Sequence, residues 1–312
     1  MQTITEISRW IRDYGHDPRH IQHLSSVPFD WHQLWTALNT IDDVELAIHS
    51  YLEGEFPAGP GEQYLRLYGV FQALFVQQDA MRHFIEIIRP GTPFVLADVL
   101  RDVREARNAS VGHPTEVQRK GEVSAHGISR STIGRDGFLL MSFSDKGGSS
   151  FTNVPVLELI AKQRKEVVRV LLEVVKQLKA DDEEHKGKFR GRSLKDCFRL
   201  VTYAFEKISA NLRGKDLLGA WGAGELQSSL TMFEKMLNER GLTIETYDSI
   251  KYYYAEIEYP LAELQKFFAK QASDIASAKA AIVYANALRG WFSELMDIAQ
   301  EIDEEYEKSE TS

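Results

Sequence analysis

Apolar residues recur along most of this chain at the three- and four-residue intervals of a helix, and one stretch breaks that rhythm. The clearest seam is Leu67, Phe71, Leu74, Gln78, Met81, Ile85 and Ile88. Its steps of four and three put a stripe on one side of a helix. The spacing predicts a helix over about residues 62–88, entered from the loop at residues 57–61 and stopped by Arg89-Pro90-Gly91. Leu157, Ile160, Arg164, Val167, Leu171, Val174 and Leu178 form a second seam behind Pro155, a favourable residue for a first turn. Each seam has one polar member, Gln78 in the first and Arg164 in the second. Buried polar groups cost stability unless they are hydrogen-bonded, so both are candidates to reach toward a cleft. Asp79 and Gln77, beside Gln78, are weaker candidates for the same role.

Further helices are expected at residues 5–14, ended by Gly15 and Pro18, at 31–53 with Asp30 as N-cap, and at 94–111. Between residues 123 and 154 the pattern changes to Ser, Thr, Gly and aromatic residues. Strands at 124–133 and 138–144 joined through Asp136-Gly137 predict a β-hairpin, and a short third strand fits 150–153. The charged, apolar-poor stretch 181–193 reads as a linker. Helix resumes from 194 to 306, broken by the glycine-rich 218–224 and by Gly241, with Pro260 interrupting or starting a helix. The expected fold is mainly α. A helical bundle over 1–180 carries an inserted hairpin at about 123–154, and a second helical domain over 194–312 ends in an acidic segment.

Composition narrows the class. With 312 residues, 43% of them hydrophobic, the chain has ample material for packed cores, and about two domains are expected. No uncharged apolar run approaches the roughly 20 residues of a membrane span, so no membrane partner is expected. Glu6 and Arg9 interrupt the place where a secretory signal needs its apolar stretch. The single cysteine, Cys197, excludes an internal disulfide and a Cys-rich zinc site. A cytoplasmic, reducing setting is the expectation.

The net charge of -9 seems to exclude a nucleic-acid partner. Its distribution does not. Residues 294–312 hold eight acids and one base, a local -7 that leaves -2 for everything before. Residues 101–135 hold seven bases and four acids, a local +3 that suits a phosphate backbone.

That basic stretch contains the residues with a chemical reading. Arg101, Arg104 and Arg107 recur every third residue, a slanting ridge on one helix, with Asn108 next and His113 between Gly112 and Pro114. In one ideal helix Arg107 and His113 lie roughly 9 Å apart along the axis and about 120° apart around it. They are then no tight pair, but both border the same helix end. Arginine offers a permanent charge and a planar fork matched to phosphate, and histidine exchanges protons near neutral pH. Without an acidic metal-binding cluster, this set suits cleavage of RNA through its own 2′-hydroxyl. The plainer alternatives are a solvated arginine face paired with Asp98, Asp102 and Glu105, and a histidine that caps the helix. His16, His20 and His23 have metal-like spacing, but with Pro18 among them they read as surface histidines. The glycine-rich runs at 219–224 and 146–148 lack the ending of a phosphate loop.

Arg107-Asn108 followed by His113-Pro114, at the end of the third long helix of a bundle, resembles the HEPN superfamily, whose hallmark is an Arg, a short spacer and a His. The resemblance covers roughly residues 31–181. It implies a metal-independent RNA endonuclease of a toxin–antitoxin or anti-phage defence system, needing no cofactor and no metal. Arg107 and His113 would be catalytic with Asn108 in support, and Arg104 and Arg101 would bind the RNA backbone, helped by Gln78, Asp79 and Arg164. It also implies a homodimer in which two Arg/His sets share one cleft, and a partner protein such as an antitoxin. The alternative is a non-catalytic HEPN-like module that docks a partner protein or a nucleotide through the same ridge.

Overall fold

The computed structural model describes residues 2–17, 20, 28–91, 93–119 and 122–308, with the backbone alone at 28–31, 117–119 and 122. The protein is mainly helical and divides into two compact units. One holds the described residues up to Gln177 apart from His20, and the other holds His20 and the chain from Leu178 onward.

In the first unit, α1 (Ile4–His16) opens on a reciprocal cap. The Thr3 hydroxyl accepts from the Glu6 amide, and the Glu6 carboxylate accepts from the Thr3 amide at 2.7 Å. Next come α2 (Pro28–Glu53), α3 (Pro60–Ile88) and α4 (Asp98–Arg107), the last continued by a π-helical turn at Asn108–Gly112. Because α2 begins at Pro28, Asp30 falls inside its first turn rather than at its cap; the Asp30 side chain lies outside the described residues. The α3 seam is buried from Leu67 through Ile85, Gln78 included. The third helix starts four residues later than the spacing predicts, at Asp98, an acid in the first turn, where the helix dipole favours it.

The β segment has four strands, β1 (Val117–Arg119), β2 (Glu122–Ile128), β3 (Phe138–Ser144) and β4 (Ser149–Val154), antiparallel in that order: β2 and β3 form the expected hairpin, β4 is the expected third strand, and β1 is additional. A 3-10 turn at Arg130–Thr132 separates β2 from β3, so β2 ends at Ile128. Nor is the sheet an appendage. Phe138, Leu140 and Val154 are buried in one cluster with Phe71, Leu74, Val103 and Ile160 from the helices. The rings of Phe71 and Phe138 meet edge-to-face at 6.2 Å, a geometry that adds about 0.5–1.5 kcal/mol beyond burial. Arg135, counted as a base available to phosphate, instead donates to the carbonyls of Leu52 and Gly54 and pins this sheet to the end of α2.

Helix α5 (Val156–Gly187) follows. The polar residue buried in its seam is Gln163, and the neighbouring Arg164 is half-exposed. The stretch expected as a linker is helical through Gly187. Its charges are paired rather than solvated: within the second unit, buried Lys186 meets Asp182 at 2.7 Å and buried His20 meets it at 3.1 Å. His20 is therefore no surface histidine, while His16 stacks on Trp35 at 5.1 Å and His23 lies outside the described residues.

The second unit packs α6 (Val201–Leu212), α7 (Gly219–Glu239), α8 (Asp248–Phe268) and α9 (Ala278–Glu307) around Phe198, Phe205, Phe233, Leu264 and Phe292. The glycine-rich run does not break helix here. It forms the first turns of α7, where a Cβ on Gly219 would lie 2.4 Å from the Phe268 ring and one on Gly222 2.7 Å from the Ala204 carbonyl oxygen. Pro260 sits inside α8. No helix among the described residues is long and apolar enough to cross a membrane.

Candidate functional site

The candidate site lies where the end of α4 crosses α3. Val103 and Leu100 bury one face of α4 and hold it against α3, which leaves the ridge of arginines on the flank. The structure gives the three arginines different fates. Arg101 pairs with Asp98 of its own first turn and is exposed, apart from the rest. Arg104 donates from Nε to the Gln78 Oε1 at 2.7 Å and from Nη2 to Asp79 Oδ1 at 2.5 Å, so its charge is matched by a carboxylate. Arg107 donates from Nη2 to Gln72 Oε1 at 3.1 Å and from Nη1 to Asn108 Oδ1 at 3.0 Å. Both of its partners are neutral amides, and it forms no ion pair among the described residues.

Phe75 of α3 contacts both of these arginines. The guanidinium carbons of Arg104 and Arg107 each stand 4.5 Å from the centre of its ring. Such contacts contribute about 0.5–1 kcal/mol at an exposed position and more when desolvated. They also fix the planes of both guanidinium groups. The Arg107 Nε is buried and has no hydrogen-bond partner, so only the Nη edge of the fork is engaged.

The π turn shapes the other side. The Asn108 carbonyl accepts from the His113 amide at 2.9 Å, five residues on, and the Ser110 hydroxyl donates to the Ala106 carbonyl at 2.5 Å. An i→i+5 turn inserts an extra residue into the helix, a device common at functional sites. Here it brings Gly112 against Arg107: a Cβ at Gly112 would sit 2.4 Å from Arg107 Nη1 and 3.3 Å from Asn108 Oδ1. His113 stands exposed at the C-terminal end of the turn. Its backbone is tied to Asn108, but no hydrogen bond among the described residues joins its ring to the Arg107 set.

Behind the arginines runs a buried amide network. Gln78 Nε2 donates to the Leu100 carbonyl at 3.2 Å and to Gln163 Oε1 at 2.7 Å. Gln163 Nε2 donates to the Leu74 carbonyl and to Gln77 Oε1, both at 2.9 Å. Gln77 Nε2 reaches the Ile41 carbonyl at 3.3 Å and Glu45 at 3.0 Å, and Glu45 holds Arg164 at 2.9 Å. Gln77, Gln78 and Gln163 are fully buried. Gln78 and Asp79 thus join the site by anchoring Arg104, whereas Arg164 stands at the far end of the network and does not reach it. Gln72, Phe75 and Gln163 carry much of this geometry and were not singled out from the sequence. The legible signal was the run of Gln72, Phe75, Gln78 and Asp79 at helical spacing on α3. No group of three or more His, Cys, Asp or Glu side chains fit to hold a metal occurs among the described residues.

Chemically, the arrangement offers an anion one oriented, electrically uncompensated guanidinium beside an amide, with the exposed His113 at the end of the same turn. Comparison with protein-family models, with curated proteins and with solved structures finds no match to this chain.

Proposed function

We propose that the protein is a cytoplasmic, metal-independent RNA endonuclease of the HEPN type, acting in a toxin–antitoxin or anti-phage defence system. The observation that carries this reading is the state of Arg107, the one arginine of the ridge held in place by neutral groups only. A phosphate that meets it gains a charge-assisted hydrogen bond without first displacing a carboxylate. In the proposed reaction the RNA 2′-oxygen attacks the adjacent phosphorus and the bond to the 5′-oxygen breaks. The proton leaves the 2′-hydroxyl and reaches the departing 5′-oxygen, with His113 serving one of these transfers. Arg107 neutralises the charge that builds on the phosphorane, and Asn108 orients Arg107. Arg104, neutralised by Asp79, helps hold the Phe75 ring on which Arg107 rests. A homodimer would supply a second His113 for the other proton transfer, and a partner protein would restrain the activity.

The test is incubation of the protein with a pool of RNAs, in EDTA and again with added Mg²⁺ or Mn²⁺, alongside Arg107→Ala and His113→Ala. The reading expects cleavage in EDTA that both substitutions remove while circular dichroism stays unchanged. RNA left intact under every condition overturns it.

A further inference from the structure

A second feature of the first unit is a groove of about 720 Å³ between α2 and α3, a size typical of small-molecule sites. Its floor is apolar, with Ala37, Val76, Ala80 and Ile87 among the lining residues. Among the described residues its ionisable lining is acidic or histidine, with no lysine or arginine. The two acids are Asp79 and Glu86, seven residues apart on α3 and therefore on one stripe, about 10 Å apart along the helix axis. Asp79 uses Oδ1 for Arg104, and Glu86 has only a loose contact of 3.8 Å to His83.

From this geometry we infer that the groove binds an elongated aliphatic polyamine. The two terminal ammonium groups of such a chain, about 10 Å apart, match Glu86 at one end and, at the other, the Asp79 Oδ2 that Arg104 does not engage, with the methylene segments on the apolar floor and the inner amine toward the open side of the groove. A compact cation would reach one acid only, and an anion would meet both. Burying methylene groups on Ala37, Val76, Ala80 and Ile87 adds affinity that a simple metal cation could not gain. Asp79 borders both this groove and the candidate site, where it holds Arg104; the inference concerns binding in the groove and does not rest on the cleavage reading.

Isothermal titration calorimetry of the full chain with spermidine tests it, with butylamine as the single-charge control. The expected result is saturable binding of one spermidine per chain, with butylamine at least tenfold weaker. Glu86→Gln should weaken spermidine at least tenfold, and Thr36→Trp, which fills the groove from an exposed position of α2, should remove binding. Circular dichroism and the melting temperature report that both variants are folded. Binding that is unchanged in both folded variants belongs to the acidic end of the chain and overturns the inference, as does equal affinity for butylamine or no saturable heat. Sedimentation velocity completes the test. If Thr36→Trp breaks a wild-type dimer, the groove belongs to a second copy of the chain and the inference fails; an unchanged sedimentation coefficient is expected.

Discussion

Gly112 and Arg107 occupy the same space: the position a Cβ would take on Gly112 lies 2.4 Å from the Arg107 Nη1. Glycine is needed there because the π turn folds the backbone against the guanidinium, not because of an unusual backbone angle.

Gly112→Ala should therefore act on chemistry more than on folding. The clash is with the far end of a flexible side chain, so the cost in stability should stay within about 1 kcal/mol, the range of a mild substitution. The guanidinium, however, must move off Gln72 and Asn108, and RNA cleavage should fall at least tenfold. Urea denaturation and a cleavage assay on the same preparation read the two effects. A variant that loses stability in step with activity would show that Gly112 serves the fold alone.

Arg107 and Arg101 should separate. Arg107→Ala should lower the cleavage rate by about 10²–10³, the loss seen when one preorganised charge-stabilising donor is removed. Arg101→Ala should change it less than threefold, since Arg101 pairs with Asp98 at the exposed start of α4. Arg107→Lys should not restore the rate, because an ammonium cannot serve Gln72, Asn108 and a phosphate from one plane. Single-turnover rates of the three variants decide this.

Gln163→Leu should destabilise the protein strongly although the two side chains are similar in size. It leaves the Gln77 side-chain Oε1 and one Gln78 donor without their partners and removes the second hydrogen bond of the Leu74 carbonyl. Each buried group left unsatisfied costs about 1–3 kcal/mol. A fall in the urea midpoint at constant slope is the expected result, and a neutral or stabilising effect would mean that water reaches this network.

In the second unit, burial alone would raise the Asp182 carboxyl, but hydrogen bonds from His20 and Lys186 outweigh it and hold the group well below the ordinary carboxylate range. A lowered folded value means that Asp182 adds stability above its unfolded value of about 3.9. That stability is lost as the pH falls below this value and through the folded one. Urea midpoints measured from pH 5 downward should drop more steeply in the wild type than in Asp182→Asn, which has no proton to take up. Parallel curves would contradict the assignment.

Much of the first unit was legible from periodicity, because the α3 seam is long and the helix is buried along it. The second seam is buried at Ile160, Val167, Leu171, Val174 and Leu178 as its spacing predicts, and it differs at its polar member, Gln163 in place of Arg164. Its spacing through Arg164 is as regular as the true one through Gln163, and only the tertiary contact with Gln78 distinguishes them. The charged stretch at 181–187 looked like a linker because its pairing partner His20 lies far away in sequence. At the site, the arginine ridge and Asn108 were visible in the residue spacing. The π turn was not, because local sequence carries no rule for it, and neither was the division of labour among the arginines, which depends on Asp79, Gln72 and Phe75 of another helix.

The chemistry proposed for Arg107 and His113 would leave a chemical mark on the RNA ends. Cleavage of a defined single-stranded RNA in EDTA, followed by mass spectrometry of the fragments, should give 2′,3′-cyclic phosphate and 5′-hydroxyl ends, and His113→Ala should give none. Fragments with 3′-hydroxyl and 5′-phosphate ends, formed only with added Mg²⁺ or still formed by His113→Ala, would contradict it.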